Sequence, residues 1–178
     1  NKTLVTNYHV MADAAWIMAV SDGGDRYLVT KFIAGDQDID IALLEFLSPT
    51  DLAPLPLYAG DTLRRSAPVV AIGYPLGLTN TVSMGNISAF YYDGGFRTIQ
   101  FTAPISHGSS GGALFNDDGE VIGITEGGYE EGQNLNLAVD IGEVRLMMEA
   151  GAENKRISFA AQQKMEWLPQ TPTPSPRP

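Results

Sequence analysis

The chain has 178 residues, a formal net charge of -10, 44% hydrophobic residues, 19 glycines, 11 prolines and no cysteine. That length suits one domain or two small, tightly packed halves, and the acidity repels phosphate backbones, which excludes nucleic acid as an expected partner. The lack of cysteine removes disulfides, thiol nucleophiles and thiolate metal sites together.

Taken in chain order, Lys2 to Thr6 reads as a short strand. Thr6 is placed to cap a brief helical turn through its hydroxyl. Ala14 to Val20 and Arg26 to Ala34 form a hairpin around the turn cluster Ser21 to Asp25. Asp40 to Phe46 is an apolar run bounded by turn residues, which predicts a buried strand. Ser48 to Asp61, with Pro49, Pro54 and Pro56, is an irregular connection between two halves. Pro68 to Gly73 opens the second set of strands. Thr81 to Tyr91 and Phe96 to Thr102 make a hairpin closed by Asp93-Gly94-Gly95. Ala113 to Phe115 and Glu120 to Thr125 flank the turn Asn116 to Gly119, and Asn134 to Val139 is the last strand. Gly142 to Ala150 changes to a helical period, with Val144, Met147 and Met148 on one core-facing side. Gly151 is its expected stop. The expected domain is 1–153: a partial first barrel over 1–50, a second over 60–140 and a helix over 141–151. A C-terminal extension follows over 154–168, whose Ile157, Phe159 and Trp167 are expected to pack back on the domain. A Pro-rich tail or linker covers 169–178. There is no internal repeat. Many short strands ending in one helix define an all-β chain in two halves.

Only two histidines are present, His9 and His107, so a three-histidine zinc site is excluded and no HExxH motif exists. No metal or cofactor is expected. An apolar run of about 18 residues is absent, so no membrane span is expected, and no signal peptide is visible.

The sharpest local signal is His107-Gly108-Ser109-Ser110-Gly111-Gly112. A serine among glycines suits a nucleophile presented on a tight turn with bare backbone around it. The amides of Gly108 and Ser110 can converge where a carbonyl oxygen becomes an oxyanion, and losing one such donor costs about 2.7–4 kcal/mol. The same string also matches the nucleophile elbow of α/β-hydrolases, but that arrangement needs a histidine after the serine, and none follows His107. His9, Asp40 and Ser110 instead supply a His, Asp, Ser order. In it the imidazole takes the hydroxyl proton and the carboxylate fixes the imidazole tautomer. His107 reads as a surface or wall residue. Asp36 and Asp38 are the nearby acids that compete with Asp40 for its role.

Leu4-Val5-Thr6-Asn7-Tyr8-His9-Val10, Asp40-Ile41-Ala42-Leu43-Leu44, Val70 to Gly77, Gly108 to Leu114, Gly119 to Ile124 and Asn136 to Val139 resemble, in order, the motifs of the HtrA (Deg) group of trypsin-like serine proteases. The resemblance covers roughly residues 3 to 150. It implies a chymotrypsin fold of two β-barrels and hydrolysis of peptide bonds through an acyl-enzyme, with His9, Asp40 and Ser110 as triad. It further implies an oxyanion hole at Gly108, Ser109 and Ser110. A substrate pocket is implied at Pro104 and Ile105, with Ile124, Thr125 and Glu126 as its wall. No Asp sits where a basic-specific pocket would hold one, so cleavage after small or medium aliphatic residues is expected. Only eight residues precede His9, so the first barrel is expected to lack its N-terminal strands and to leave an open edge. The implied substrate is a peptide or unfolded protein, and the implied location is extracytoplasmic. The alternative is a non-catalytic peptide-binding or structural module on the same fold.

Overall fold

The computed structural model describes residues 2–74, 81–128 and 135–150. The expectations for the tail, the 154–168 extension, Gly151 and the 75–77 part of the third motif lie outside these residues.

The first half is a four-stranded antiparallel sheet in the order β1-β4-β3-β2, built from β1 (Thr3–Thr6), β2 (Ile17–Val20), β3 (Arg26–Asp36) and β4 (Ile41–Phe46). It is open at β1 and β2. A short helix α1 (Tyr8–Met11) follows β1. The second half is a closed barrel, β10-β7-β6-β5-β8-β9. Its strands are β5 (Pro68–Gly73), β6 (Thr81–Asp93), β7 (Phe96–Phe101), β8 (Ala113–Phe115), β9 (Val121–Gly128) and β10 (Asn136–Asp140). Helix α2 (Ile141–Ala150) closes the described chain. The architecture is the expected all-β pair, with one sheet incomplete as a barrel.

β4 explains why the halves stay together. It is apolar on both faces, and successive side chains point opposite ways. Ala42, Leu44 and Phe46 enter the core of the first sheet with Val29, Phe32, Tyr8 and Met11. Ile41 and Leu43 enter a second cluster with Val121, Ile124, Val139, Ile141 and Val144 from the other half. Burying each such side chain contributes about 1.5–3 kcal/mol. The barrel has its own core of Val69, Ile87, Ile99, Phe101, Leu114 and Ile122. Its longest hairpin turns through Gly94 and Gly95, both at positive φ, which is the two-residue turn that matches strand twist. Gly85 is required for another reason: a Cβ there would lie 2.1 Å from the Ala103 amide nitrogen.

Two local expectations are corrected. The residue capping α1 is Asn7, not Thr6, and its side chain makes no cap hydrogen bond. Asn7 Nδ2 instead reaches across to the Asp40 carbonyl at 3.0 Å. On α2, Ile141 and Val144 are buried and Met147 packs against the inter-half core, but Met148 is exposed. The helix begins one residue earlier than its period suggested, and Ile141, on the same face two turns before Met148, is buried where Met148 is not.

Candidate active site

The site forms where α1, the β3–β4 turn and the turn before β8 meet. Asp40 occupies the β3–β4 turn at φ 59, a left-handed conformation that Asp tolerates better than most residues. That turn aims both carboxylate oxygens at one neighbour. Oδ1 accepts the His9 backbone amide at 2.9 Å and Oδ2 meets His9 Nδ1 at 2.6 Å. The Asp40 carbonyl also accepts from Tyr8 N at 3.1 Å and from Asn7 Nδ2. Backbone and side chain of Asp40 thus clamp the first turn of α1. The carboxylate is largely covered, whereas the imidazole is about half exposed.

The Ser110 turn is equally determined. Ser109 N donates to the Ser106 carbonyl at 3.0 Å, with Gly108 at φ 93 as third residue of the turn. A side chain at Gly108 would be strained there. Gly112 N donates to the Ser109 carbonyl, Gly111 N to the Thr125 carbonyl, and Thr125 N to the Gly112 carbonyl. Thr125 Oγ1 donates to the Ser109 carbonyl as well. The loop is therefore stapled to β9 on both sides of the serine. Gly111, at φ 82, lets Thr6 of β1 approach: a Cβ there would sit 2.4 Å from Thr6 Oγ1.

Among the described residues, the amides of Gly108 and Ser110 have no backbone acceptor, whereas that of Ser109 closes the turn. Of the three expected oxyanion donors, two are thus free for a ligand and one is engaged. Ser110 Oγ donates to the Glu126 carbonyl at 2.9 Å and not to the imidazole. Val10, the residue after His9 on α1, and Ser110 line the same cavity of about 360 Å³ together with Thr6, Gly108 and Gly111, whereas His9 itself is not among its lining residues.

The expected substrate-pocket residues separate. Pro104, Ile105 and Thr125 line a cavity of about 260 Å³ behind Ser109, with Ile72, Ser83 and Ser106. Ile124 is buried in the inter-half cluster. Glu126 lies within electrostatic reach of Asp40 and His9. Burial first, and then the Asp40 charge, raise its carboxyl above the usual glutamate range, while His9 partly offsets them. His107 is exposed on the Ser110 turn, and Asp36 bonds the amides of Asp38 and Ile39 within its own turn. Sequence reasoning missed Asn7 as the anchor of Asp40. Its position two residues before His9 was the available signal.

Residues 1–124 match the family profile of the trypsin-like peptidase domain, and the chain belongs to that family. Its relatives include HtrA-type proteases. The chain is 41% identical over 127 residues to the periplasmic serine endoprotease DegP of Salmonella typhimurium, covering 68% of this chain and 26% of that protein. It is 34% identical over 146 residues to the human serine protease HTRA4, covering 77% and 30%. The anti-sigma-I factor RsgI9 of Acetivibrio thermocellus is 35% identical over 134 residues, 75% of this chain and 19% of that one. Among solved structures, a serine endoprotease from Yersinia pestis superposes with TM-score 0.77 at 31% identity, covering 86% of this chain and 54% of that one. The HtrA-type protease AlgW bound to a decapeptide gives 0.78 at 30% identity, covering 85% and 49%. The chain thus spans about a fifth to a third of these curated relatives and about half of the solved chains.

Proposed function

We propose that this chain is the catalytic module of a serine endopeptidase acting on peptides or unfolded proteins. The observation that carries the reading is the doubly anchored His9–Asp40 pair, with His9 on the helix whose next residue, Val10, lines the cavity that Ser110 also lines. With Nδ1–H donated to Asp40, His9 Nε2 is the free lone pair. Rotation of Ser110 about its Cα–Cβ bond, a fast motion for a side chain, exchanges the Glu126 carbonyl for that lone pair. His9 then takes the hydroxyl proton as Oγ attacks the scissile carbonyl, and the Gly108 and Ser110 amides receive the oxyanion. Asp40 stabilises the imidazolium, which returns its proton to the leaving amine. Water, deprotonated by the same imidazole, then releases the acyl group.

A preference for small or medium aliphatic P1 residues is supported by Pro104 and Ile105, on the segment leading into the Ser110 turn. The cavity they line holds no charged side chain among the described residues. An extracytoplasmic location is the reading that fits relatives named as periplasmic. No helix among the described residues is long and apolar enough to cross a membrane, which says nothing of β-barrels.

A fluorophosphonate probe tests the peptidase reading. It is expected to label wild type and not Ser110→Ala, and a peptide library is expected to show Val, Ala or Ile at P1. Folded protein that resists the probe would instead favour a peptide-binding module, the reading to which the Ser110–Glu126 hydrogen bond gives its support. A library dominated by Arg or Lys at P1 would overturn the pocket assignment.

A further inference from the structure

Asn7 stands at the N-cap of α1, where an Asn side-chain oxygen ordinarily accepts a backbone N–H from the first turn of the helix. Here it makes no such bond. The His9 amide, a natural partner for that oxygen, is taken instead by Asp40 Oδ1 at 2.9 Å. Asn7 uses its other end: Nδ2 donates to the Asp40 carbonyl at 3.0 Å, beside the Tyr8 amide at 3.1 Å. A carbonyl only accepts, so the amide nitrogen must be the atom that faces it. Asn7 is 0% exposed, and its Oδ1 has no hydrogen-bond partner among the described residues. A buried acceptor without a donor destabilises a fold, whereas an apolar group of the same shape in its place is near neutral or stabilising. The residue thus breaks two local rules at once, and both breaches favour Asp40. The Asp40 carboxylate keeps the His9 amide, and the Asp40 carbonyl gains a second donor. Departures of this kind from the local optimum concentrate at functional sites.

We propose that Asn7 is a positioning residue for the His9–Asp40 pair: its Nδ2 holds the Asp40 peptide so that both carboxylate oxygens stay on His9, at the expense of an unpaired Oδ1. The inference rests on the peptidase reading above. Asp40 sits at φ 59, a region that Asp enters more readily than most residues but that the surrounding structure must hold. Side chain and carbonyl leave one Cα, so a rotation of the Asp40 backbone carries the carboxylate off the ring. Two donors on the carbonyl resist that rotation better than one. Both come from the segment that carries His9, which ties base and carboxylate to one frame. Asn7 lines neither cavity beside the Ser110 turn, so it acts through Asp40 and not on substrate.

The experiment compares the full wild-type chain with Asn7→Leu, which keeps the volume and removes both polar ends, and with Asn7→Ala, which removes the donor and leaves a cavity. It measures kcat and KM on a fluorogenic peptide, the urea midpoint, and the proton on His9 Nδ1 by NMR. In Asn7→Leu, kcat is expected to fall about tenfold or more with KM nearly unchanged, since an ångström of misplacement at a reacting group costs up to about 10²-fold. Its midpoint is expected to equal or exceed that of wild type. Its Nδ1 proton is expected to move upfield and exchange faster, as the 2.6 Å contact with Asp40 loosens. Asn7→Ala is expected to show the same loss of kcat at a lower midpoint. A merely structural role would lower activity only with the folded fraction and leave the Nδ1 proton in place. Wild-type kcat or an unmoved Nδ1 proton in the folded variants, or a midpoint of Asn7→Leu as low as that of Asn7→Ala, would overturn the proposal. If Asn7→Leu does not fold, the proposal is overturned in its stability half, and Asn7→Ala decides the positioning half through kcat and the Nδ1 proton. Failure of the fluorophosphonate to label wild type removes the peptidase reading and this inference with it. Labelling of wild type with kcat unmoved in Asn7→Leu removes the inference alone.

Discussion

Asp40→Asn separates the orienting role of the carboxylate from its structural one, because the substitution is isosteric and Asn also tolerates φ 59. The His9 backbone amide can only donate, so the single oxygen of the introduced side-chain amide must be the one that faces it, in place of Oδ1 at 2.9 Å. The new NH2 group is then forced opposite His9 Nδ1, where Oδ2 now stands at 2.6 Å. An NH2 needs an acceptor, so Nδ1 must lose its proton and Nε2 must carry it. The ring is held in the tautomer that cannot accept from Ser110. In a His–Asp–Ser arrangement the wrong tautomer costs about 10⁴ in kcat, equivalent to about 5.4 kcal/mol of barrier. Stability changes little, because the amide contact and the clamp on Tyr8 and Asn7 persist. Asp40→Ala differs: it loses the acceptor and places a side chain without local hydrogen bonding at positive φ, an added cost of about 1–2 kcal/mol. The assays are kcat on a fluorogenic peptide and the ¹⁵N shifts of the His9 ring. A folded Asp40→Asn protein that keeps more than about a tenth of wild-type kcat, against the roughly 10⁴-fold loss expected, or whose proton stays on Nδ1, would refute the tautomer argument.

Further outcomes follow from the same contacts. Ser110→Ala removes one hydrogen bond, to the Glu126 carbonyl, so chemical denaturation is expected to show a loss of only about 0.5–1.5 kcal/mol while probe labelling disappears. Gly111→Ala puts a Cβ 2.4 Å from Thr6 Oγ1 at φ 82 and is expected to destabilise by about 2–4 kcal/mol. Adding Thr6→Ala relieves the clash but not the dihedral, so recovery measured by denaturation is expected to be partial. Glu126→Gln also has a stability signature. Because the folded carboxyl has a raised pKa, the folded state binds that proton more tightly than the unfolded chain, and the wild type loses stability as pH rises from the ordinary glutamate range through the raised value. The variant is therefore expected to melt higher than wild type near neutral pH, with the difference vanishing below about pH 4.

Much of this was legible in the sequence because short-range rules governed it. Apolar alternation and turn residues located every strand to within a few positions. The order His9, Asp40, Ser110 excluded the α/β-hydrolase arrangement without any coordinates. What escaped depended on which partner each face meets. The helical period puts Ile141 and Met148 on one face of α2, two turns apart, and only the packing against the rest of the domain decides that Ile141 is covered and Met148 is not. Ser109 looked equivalent to its neighbours as an amide donor, but closing the turn on Ser106 consumes its N–H. Glu126 looked like one more wall residue of β9, because a period of two cannot announce a bulge that is defined by the register of β10.

The bulge and the two glycine turns express one constraint. On the peptidase reading proposed above, a nucleophile must approach both a base from one half and amides from its own loop, and a regular strand interior leaves no backbone donors or acceptors free to arrange this. The Ser110 loop obtains free amides by turning tightly at Gly108 and Gly111, and β9 obtains a free carbonyl by bulging at Glu126. Each irregularity is held by regular structure behind it: the staples from Thr125 fix the loop, and the inter-half cluster around Ile41 and Ile124 fixes the turn that carries Asp40. The site therefore depends on the packing of β4 against β9 as directly as on its own hydrogen bonds. Substitutions such as Leu43→Ala, far from the cleft chemistry, are expected to loosen the His9–Ser110 approach in step with the stability they remove, which kcat plotted against the denaturation midpoint across such a series would reveal.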